Sequence, residues 1–424
     1  MFCYNNDELI IHVWKIMSQT TAEMQKAAGS SLYRKSRFDM PEQLIYLDGN
    51  SLGPLPSNVP AKLANVVQRE WGGSLVRGWS NDGWFDLPHD VARKLEPLIG
   101  AEPQSVAVGD STSIALFKVL GAALKLIGTR RCILSDSDNF PTDLYVAEGI
   151  AKLIEDGFHV KSLPTDEVET AIGDDIAVVM LTEVDYRTGL RRNMKQVTEM
   201  AHAAGALVIW DLAHSTGAVP VNLADCNADF AVGCGYKFLN GGPGAPAYLY
   251  ISPRHNDAVT PVISGWMGHS DPFAFDSAFT PARGVQKMQT GTPSVLALTA
   301  LSTALELFDD VDMTALYERA QQLGDMFIAE VEKRCPDLVL ASPRDATVRG
   351  SMVSFRHPEG YAIMQALIDQ NVIGDFRAPD ILRFGITPLY LTEADSVKAA
   401  EALEKVLNEK LWDDERFRVR GAVT

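Results

Sequence analysis

Asp211 and Lys237 each sit at the end of a continuous apolar run, and glycines crowd the lysine. The first run, Ala206 to Trp210, delivers Asp211; the second, residues 229–235, delivers Tyr236 and Lys237. A turn from Asn240 to Gly244 then leads into a third run, Ala247 to Ile251. An amine in this setting can form a Schiff base with pyridoxal 5'-phosphate, and a carboxylate can keep the pyridine nitrogen of that cofactor protonated, so that its ring acts as an electron sink. Singly, each residue has an ordinary explanation. An Asp after a strand often caps the next helix, and a Lys is usually a solvated charge. Together they fit the cofactor chemistry better, because CGY before Lys237 and FLNGGPG after it make a poor setting for an exposed lysine.

Residues of this kind need elements that hold them at one level. The apolar runs read as strands buried on both faces of a parallel sheet, the first fed by the helical segment KQVTEMAHAAG. Ligands of such sheets sit beyond the carboxyl ends of the strands, where Asp211 falls. Three earlier units repeat the pattern. Residues 105–127 read as strand, polar turn and helix, with Gly109 to Ser113 at the helix start; there free N–H groups can cradle a phosphate, or Ser111 and Thr112 simply cap the helix. Residues 132–153 form a second unit, with Phe140 at the strand end, where a ring can stack on a flat cofactor or pack into the core. The run from 176 ends at Thr182, at the height of Asp211 and Lys237. Alternation from about 105 to 250 predicts an α/β fold, a mostly parallel sheet with helices on both faces.

The flanks are less regular. Residues 18–45 predict a helix and a connection, and 45–56 a short strand with a Gly/Pro loop. One amphipathic helix after residue 58 leads to a glycine-rich loop carrying Trp71, Trp79 and Trp84, a wall for an aromatic pocket or ordinary packing. Residues 254–294 lack periodicity and are rich in Gly, Pro and aromatics, which in a compact domain points to function. A long helical pattern runs from Val295 to Arg334 as a bridge to a smaller α+β domain, with strands near 338–341, 351–356 and 381–386 and helices at 361–370 and 392–410. The expected division is a disordered extension over 1–17, a segment 18–75 that joins the small domain, a large cofactor-binding domain over 76–300, and the small domain over 301–424.

Composition narrows the partners. Of the 424 residues, 38 are Lys or Arg and 55 Asp or Glu, a net charge of −17 that disfavours nucleic acid and anionic membranes. Five scattered cysteines without CxxC pairs suggest neither zinc site nor disulfide framework, and favour a reducing cytoplasm. No apolar run reaches membrane-spanning length, and the N-terminus does not read as a signal peptide. GGPGAP lacks dinucleotide-binding spacing, and no nucleotide P-loop is present.

DLAHSTGAVPVNL followed by DFAVGCGYKFLNGGPGAPAYLY resembles the kynureninases, fold-type I pyridoxal-phosphate enzymes of the class V aminotransferase group. LDGNSLGPLP from Leu47, DNFPTD at 138–143, GWMGH at 265–269 and LRFGITPLY at 382–390 extend the likeness over most of the chain. The resemblance implies hydrolysis of L-kynurenine or 3-hydroxy-L-kynurenine to the aromatic acid and alanine, with Lys237 carrying the cofactor, Asp211 on its pyridine nitrogen and Tyr236 as proton donor. It assigns the phosphate to Thr112 and Ser113, ring stacking to Phe140, and cofactor support to Asp143, Thr182 and His214. Arg383 is the expected anchor of the substrate carboxylate, with Ser51 near it, and guanidinium forks match carboxylates. A homodimer is implied, in which Trp266 and Thr292 reach the phosphate of the neighbouring subunit. A desulfurase or selenocysteine lyase of the same fold group is the main rival; it needs a reactive cysteine, and Cys335 in EKRCPDL looks structural. A sensor of amino acid or cofactor is a second rival, without any attached DNA-binding segment in this sequence.

Overall fold

The computed structural model describes residues 32–419 and residue 421. The extension over 1–17 and most of the helix expected ahead of residue 45 fall outside that range. The first strand, β1 (Ile45–Tyr46), follows a short 3-10 turn at Lys35–Arg37. Seven strands then build the large sheet: β2 (Val106–Val108), β3 (Cys132–Asp136), β4 (His159–Leu163), β5 (Ile176–Thr182), β6 (Leu207–Asp211), β7 (Phe230–Cys234) and β8 (Ala247–Ile251). Their spatial order is β2-β8-β7-β6-β5-β3-β4. All pairings are parallel except the two made by β8. The exception has a local cause, since β7 and β8 are joined by a glycine-rich turn with no crossover helix, and only antiparallel strands can be joined so directly. Buried apolar side chains cover both faces, as the continuous Val/Ile/Leu runs require. Only the edge strand β4 is largely uncovered.

Helices Thr112–Leu126 and Pro141–Ile154 pack on one face of this sheet, with Leu116, Val119, Leu120 and Ala123 buried against Phe230 and Leu249. The remaining strands are β9 (Val339–Leu340), β10 (Met352–Arg356), β11 (Val372–Ile373), β12 (Asp375–Arg377) and β13 (Ile381–Gly385). β12, β13, β10 and β9 form an antiparallel sheet in that order, covered by helices Met313–Arg334, Gly360–Asp369 and Glu393–Asn408. β1 pairs in parallel with β11, so the N-terminal loop is tied to the C-terminal part of the chain.

Two expectations require correction. The stretch read as a glycine-rich tryptophan loop is largely helical: a π-helix spans Val66–Ser74, a 3-10 turn Leu75–Arg77 and a short α-helix Gly78–Asn81. Gly78 permits this, because a side chain there would collide with the Trp84 ring. The long helix from Val295 to Arg334 is two helices, Val295–Leu305 and Met313–Arg334. The DDVD segment breaks it, and Asp312 caps the second helix by accepting from the N–H groups of Thr314 and Ala315. Residues 254–294 carry only short 3-10 turns.

Candidate active site

Sheet register sets the depth of the reactive groups. β5 and β6 pair Thr182 with Asp211, and β6 and β7 pair Asp211 with Val232. β7 ends at Cys234, and the chain turns at once through Tyr236 and Lys237. That turn is closed by Asn240 N–H to Lys237 O at 2.9 Å and by Gly241 N–H to Gly235 O at 2.9 Å, with Asn240 and Gly242 at positive φ. The N-terminal loop clamps it from outside. Gly53 N–H donates to Tyr236 O at 2.9 Å, and a Cβ on Gly53 would lie 2.4 Å from Lys237 O. Only glycine allows that approach.

These strand ends open into a cavity of about 150 Å³. Lys237, Tyr236, Asp211 and His214 line its floor, and Thr182, Asp143 and Phe140 its side. Ser111, Thr112 and Ser113 close it at the start of helix Thr112–Leu126, which has no side-chain cap. The first-turn N–H groups are thus available to an anion, and the helix dipole favours negative charge there. Phe140 is 43% exposed, with Tyr186 edge-on to it at 5.3 Å. Asn139 braces the side wall, accepting from Thr182 Oγ1 at 2.6 Å and from the Phe140 N–H at 2.8 Å.

Burial tunes the groups on the floor toward their neutral forms. The Lys237 ammonium is held below its ordinary value chiefly by desolvation, with the Arg383 and Arg377 charges adding to it against Cys234 and Asp211. Its Nζ lies 3.2 Å from His214 Nε2. His214 is pushed well down by burial and then by the Lys237, Arg383 and Arg377 charges, so its imidazole is neutral. Asp143 is raised well above the usual carboxylate range by burial and then by the Asp211 charge. Asp211 is also raised by burial, but Lys237 and the Ala213 N–H at 2.7 Å favour its charged form. The pair therefore keeps its proton on Asp143. Burial raises the Tyr236 phenol, leaving it a proton carrier.

Ser51 and Arg383 belong to a second cluster that meets the cavity at Tyr186. Arg383 is 1% exposed and grips Asp375, Nε to Oδ1 at 2.7 Å and Nη2 to Oδ2. Its Nη2 also donates to Ser51 Oγ at 2.8 Å, and its Nη1 to Tyr186 O at 2.6 Å. Ser51 in turn donates to Asp375 Oδ2 at 2.6 Å. Arg377 approaches the same carboxylate at 2.6 Å. Asp375 is desolvated, yet the two arginines hold it below the usual carboxylate range.

Tyr186, Asn139, Asp375 and Arg377 were not singled out from the sequence. A short hairpin signal was there, since APD separates two apolar-flanked runs around 372–385. Trp266 and Thr292 do not line the Lys237 cavity. Trp266 lies edge-on to Phe273 at 5.9 Å, and Thr292 lines a separate, larger apolar hollow of about 580 Å³ with Trp71, Trp79 and Trp84.

The residues present fit pyridoxal phosphate: an uncapped helix start with three hydroxyls, an exposed ring face, a buried carboxylate and a deprotonation-prone lysine share one cavity. Comparison with known proteins agrees on the fold. A C-DES mutant with glycine covalently linked to the PLP-cofactor superposes with a TM-score of 0.77 at 17% identity, covering 87% of this chain and 98% of that one. At that identity the likeness is of fold alone, fold-type I. Sequence carries the family. The family described as Kynureninase C-terminal domain matches residues 316–403. A kynureninase from Pseudomonas fluorescens is 46% identical over 397 residues, 92% of this chain and 95% of that protein. One from Deinococcus radiodurans is 52% identical over 384 residues, 89% of this chain and 93% of that protein. Likeness of that depth over nearly the whole length means that the chain belongs to the kynureninase family.

Proposed function

We propose that this chain is a pyridoxal-phosphate enzyme that hydrolyses L-kynurenine, or its 3-hydroxy form, to the aromatic acid and L-alanine. The observation that carries the reading is a single cavity, in a chain of the kynureninase family, where Lys237, Asp211 and an uncapped helix start converge. Lys237 would hold the cofactor's aldehyde carbon, Asp211 its pyridine nitrogen, Thr112 and Ser113 its phosphate, and Phe140 its ring face, with Asp143, Thr182 and His214 in support. The bound cofactor supplies an electron sink for charge that develops on an amino acid joined to it.

The chain's own groups handle protons and water. The Lys237 amine, whose proton burial makes easier to lose, serves as base at Cα. Neutral His214 lies 3.2 Å from Lys237 Nζ and orients that amine by a hydrogen bond without adding a charge to the floor. Hydrolysis adds water to the side-chain carbonyl and breaks the bond from that carbon to Cβ. Cβ takes a proton, for which the raised phenol of Tyr236 is the donor, and the aromatic acid leaves. The cluster of Ser51, Arg377 and Arg383 receives the substrate's α-carboxylate.

The rival desulfurase chemistry lacks support: Cys335 is buried, with its thiol pushed up to about 11 by desolvation. Four cysteines among the described residues are free, which agrees with a cytoplasmic enzyme. No helix of the described residues is long and apolar enough to cross a membrane. Purified protein incubated with L-kynurenine should release fluorescent anthranilate and alanine in equal amounts. Absence of both, with the cofactor bound, would refute the reading.

The enzyme acts as a homodimer with shared sites. Support comes from the position of Trp266 and Thr292 outside their own Lys237 cavity, and from exposed Trp71 in the hollow with Thr292 and exposed Phe273 and Phe275 beside Trp266. In a two-fold dimer each protomer lends what it receives. Lys237→Ala and a Trp266/Thr292 double variant should each be poor alone, yet co-expressed they should recover up to about half of wild-type activity per mixed dimer. Mixed dimers, isolated with two tags, that stay at the parental level would exclude shared sites.

A further inference from the structure

The helix start that faces the cavity should, by its sequence, be capped. Gly109 is followed by Asp110, Ser111, Thr112 and Ser113, and Asp, Ser and Thr are the side chains that most readily accept from first-turn N–H groups. Ser111 is the N-cap residue, yet no side chain caps helix Thr112–Leu126. Asp110, one residue ahead, has its carboxylate committed elsewhere. Lys118 Nζ donates to Asp110 Oδ2 at 2.5 Å and to Met288 O at 2.8 Å. The Lys118 side chain is 4% exposed, against 32% for Asp110. Thr290 Oγ1 adds a longer contact to the same carboxylate oxygen at 3.5 Å. The backbone is held as well, since Asp110 sits at φ 56° and its carbonyl accepts from the Ala247 N–H at 3.1 Å. A buried ammonium is costly to desolvate and adds little net stability even when paired, which points to a role other than holding the fold.

We propose that Lys118 is a positioning residue for the cofactor phosphate: it draws the Asp110 carboxylate off the helix start and so leaves the first-turn N–H groups open to that anion. This rests on the pyridoxal-phosphate reading above. Without its partner, Asp110 would act against the phosphate in two ways. Its carboxylate would compete for the N–H groups at the start of the helix, beside Thr112 and Ser113 in the cavity wall. Its negative charge would also repel an anion seated at the same helix end. Lys118 removes both effects at once. Its second bond, to Met288 O, ties this loop to the segment that carries Thr290 and Thr292. Thr290 O in turn accepts from the Met267 N–H at 3.1 Å. One buried ammonium therefore holds the phosphate loop against the two stretches that carry Trp266 and Thr292, the residues proposed to serve the partner's site.

The test uses the full-length chain, freed of cofactor and titrated with pyridoxal 5'-phosphate or with pyridoxal, which keeps the ring and aldehyde but lacks the phosphate. Binding is followed by the visible spectrum and folding by a urea melt. Wild type should prefer pyridoxal 5'-phosphate. Lys118→Met should lose about tenfold of that preference while binding pyridoxal as before. Combining Lys118→Met with Asp110→Asn takes the carboxylate away, and should regain most of the loss, because Asn also tolerates the left-handed backbone at 110. A packing role for Lys118 gives the opposite pattern, equal losses for both ligands and no recovery in the double variant. Either of those results, or a Lys118→Met protein with the wild-type preference, overturns the proposal. Asp110→Asn alone leaves Lys118 in place and should keep at least the wild-type preference. A tenfold loss there would also overturn the proposal, whether or not Lys118→Met folds. Wild type with no preference for the phosphate would instead overturn the reading of this helix start as a phosphate site, and this assignment with it.

Discussion

The Lys237 floor and the arginine cluster bury ionisable groups in opposite ways. On the floor, burial drives Lys237 down, His214 down and Asp143 up, each toward its neutral form. In the cluster, Asp375 is equally buried but stays ionised, because two guanidinium groups and a serine hydroxyl satisfy it. Neutral groups with shifted pKa values can exchange protons near pH 7. Paired ions cannot, but they hold position and charge. The first arrangement suits chemistry and the second recognition. Their construction differs too. The floor is assembled by the register of neighbouring strands in one sheet, whereas the cluster joins the 48–51 loop, Tyr186 and the β12–β13 hairpin.

Damage to the two regions should therefore show up in different measurements. Lys237→Ala should cut turnover by about a thousandfold or more, since it removes the residue proposed to act both as cofactor anchor and as base. Stability should barely change, because burial already disfavours that ammonium. Borohydride reduction of the wild-type holoenzyme should fix the cofactor to the Lys237 peptide, and label on another lysine would end the comparison. Asp375→Asn should do the converse. It leaves Arg383 buried without its counter-charge, a loss of about 3–5 kcal/mol in a urea melt. Its acid dependence has a definite sign. The folded-state pKa of Asp375 is depressed, so its stabilisation is present above the ordinary carboxylate value and fades as pH falls through the lower, folded one. A wild-type enzyme no more acid-sensitive than Asp375→Asn would contradict this.

The same contrast explains what the sequence made legible. Strands buried on both faces must be continuously apolar, so Ile176–Thr182 and Ala247–Ile251 could be read to the residue, and β6 to within one. Residues at the ends of such strands then fall on one level, and Thr182, Asp211 and Lys237 do line one cavity. Asp375 and Arg377 give no comparable signal. Their meaning depends on Ser51, which is 324 residues away from Asp375 in the chain, and β12 is too short for periodicity. The π-helix at Val66–Ser74 was hidden for another reason, since Gly72 and Gly73 read as loop residues. The helix break after Leu305 was missed because apolar spacing continues through Phe308 while Asp309, Asp310 and Asp312 interrupt it.

The smallest expected effect concerns Asp48, which lies where the two regimes meet. Burial and then the Asp375 charge push its carboxyl up to about 7, against a Ser51 hydrogen bond and the Arg383 and Arg377 charges. Its Oδ1 is buried without a partner, which a neutral acid tolerates better than a carboxylate. Below that value the cluster carries two arginines against Asp375 alone and keeps a surplus positive charge. Above it, ionised Asp48 cancels the surplus. Affinity for L-alanine should then fall by up to about tenfold from pH 6 to pH 8, and Asp48→Asn should hold it at the pH 6 level throughout. Stability should follow the same group. A raised carboxyl pKa means that the folded chain keeps a proton which the unfolded chain has lost, so the contribution is full below the ordinary value near 3.8 and disappears as pH rises through about 7. Unfolding free energy should decline over that interval in wild type and decline less in Asp48→Asn. Tyr46 faces the same charge, and burial together with Asp48 and Asp375 raises its phenol beyond this range, so it stays protonated throughout. If ligand affinity is flat from pH 6 to pH 8 in both proteins, Asp48 does not set the charge of the cluster, and the recognition side of the site is governed by its arginines alone.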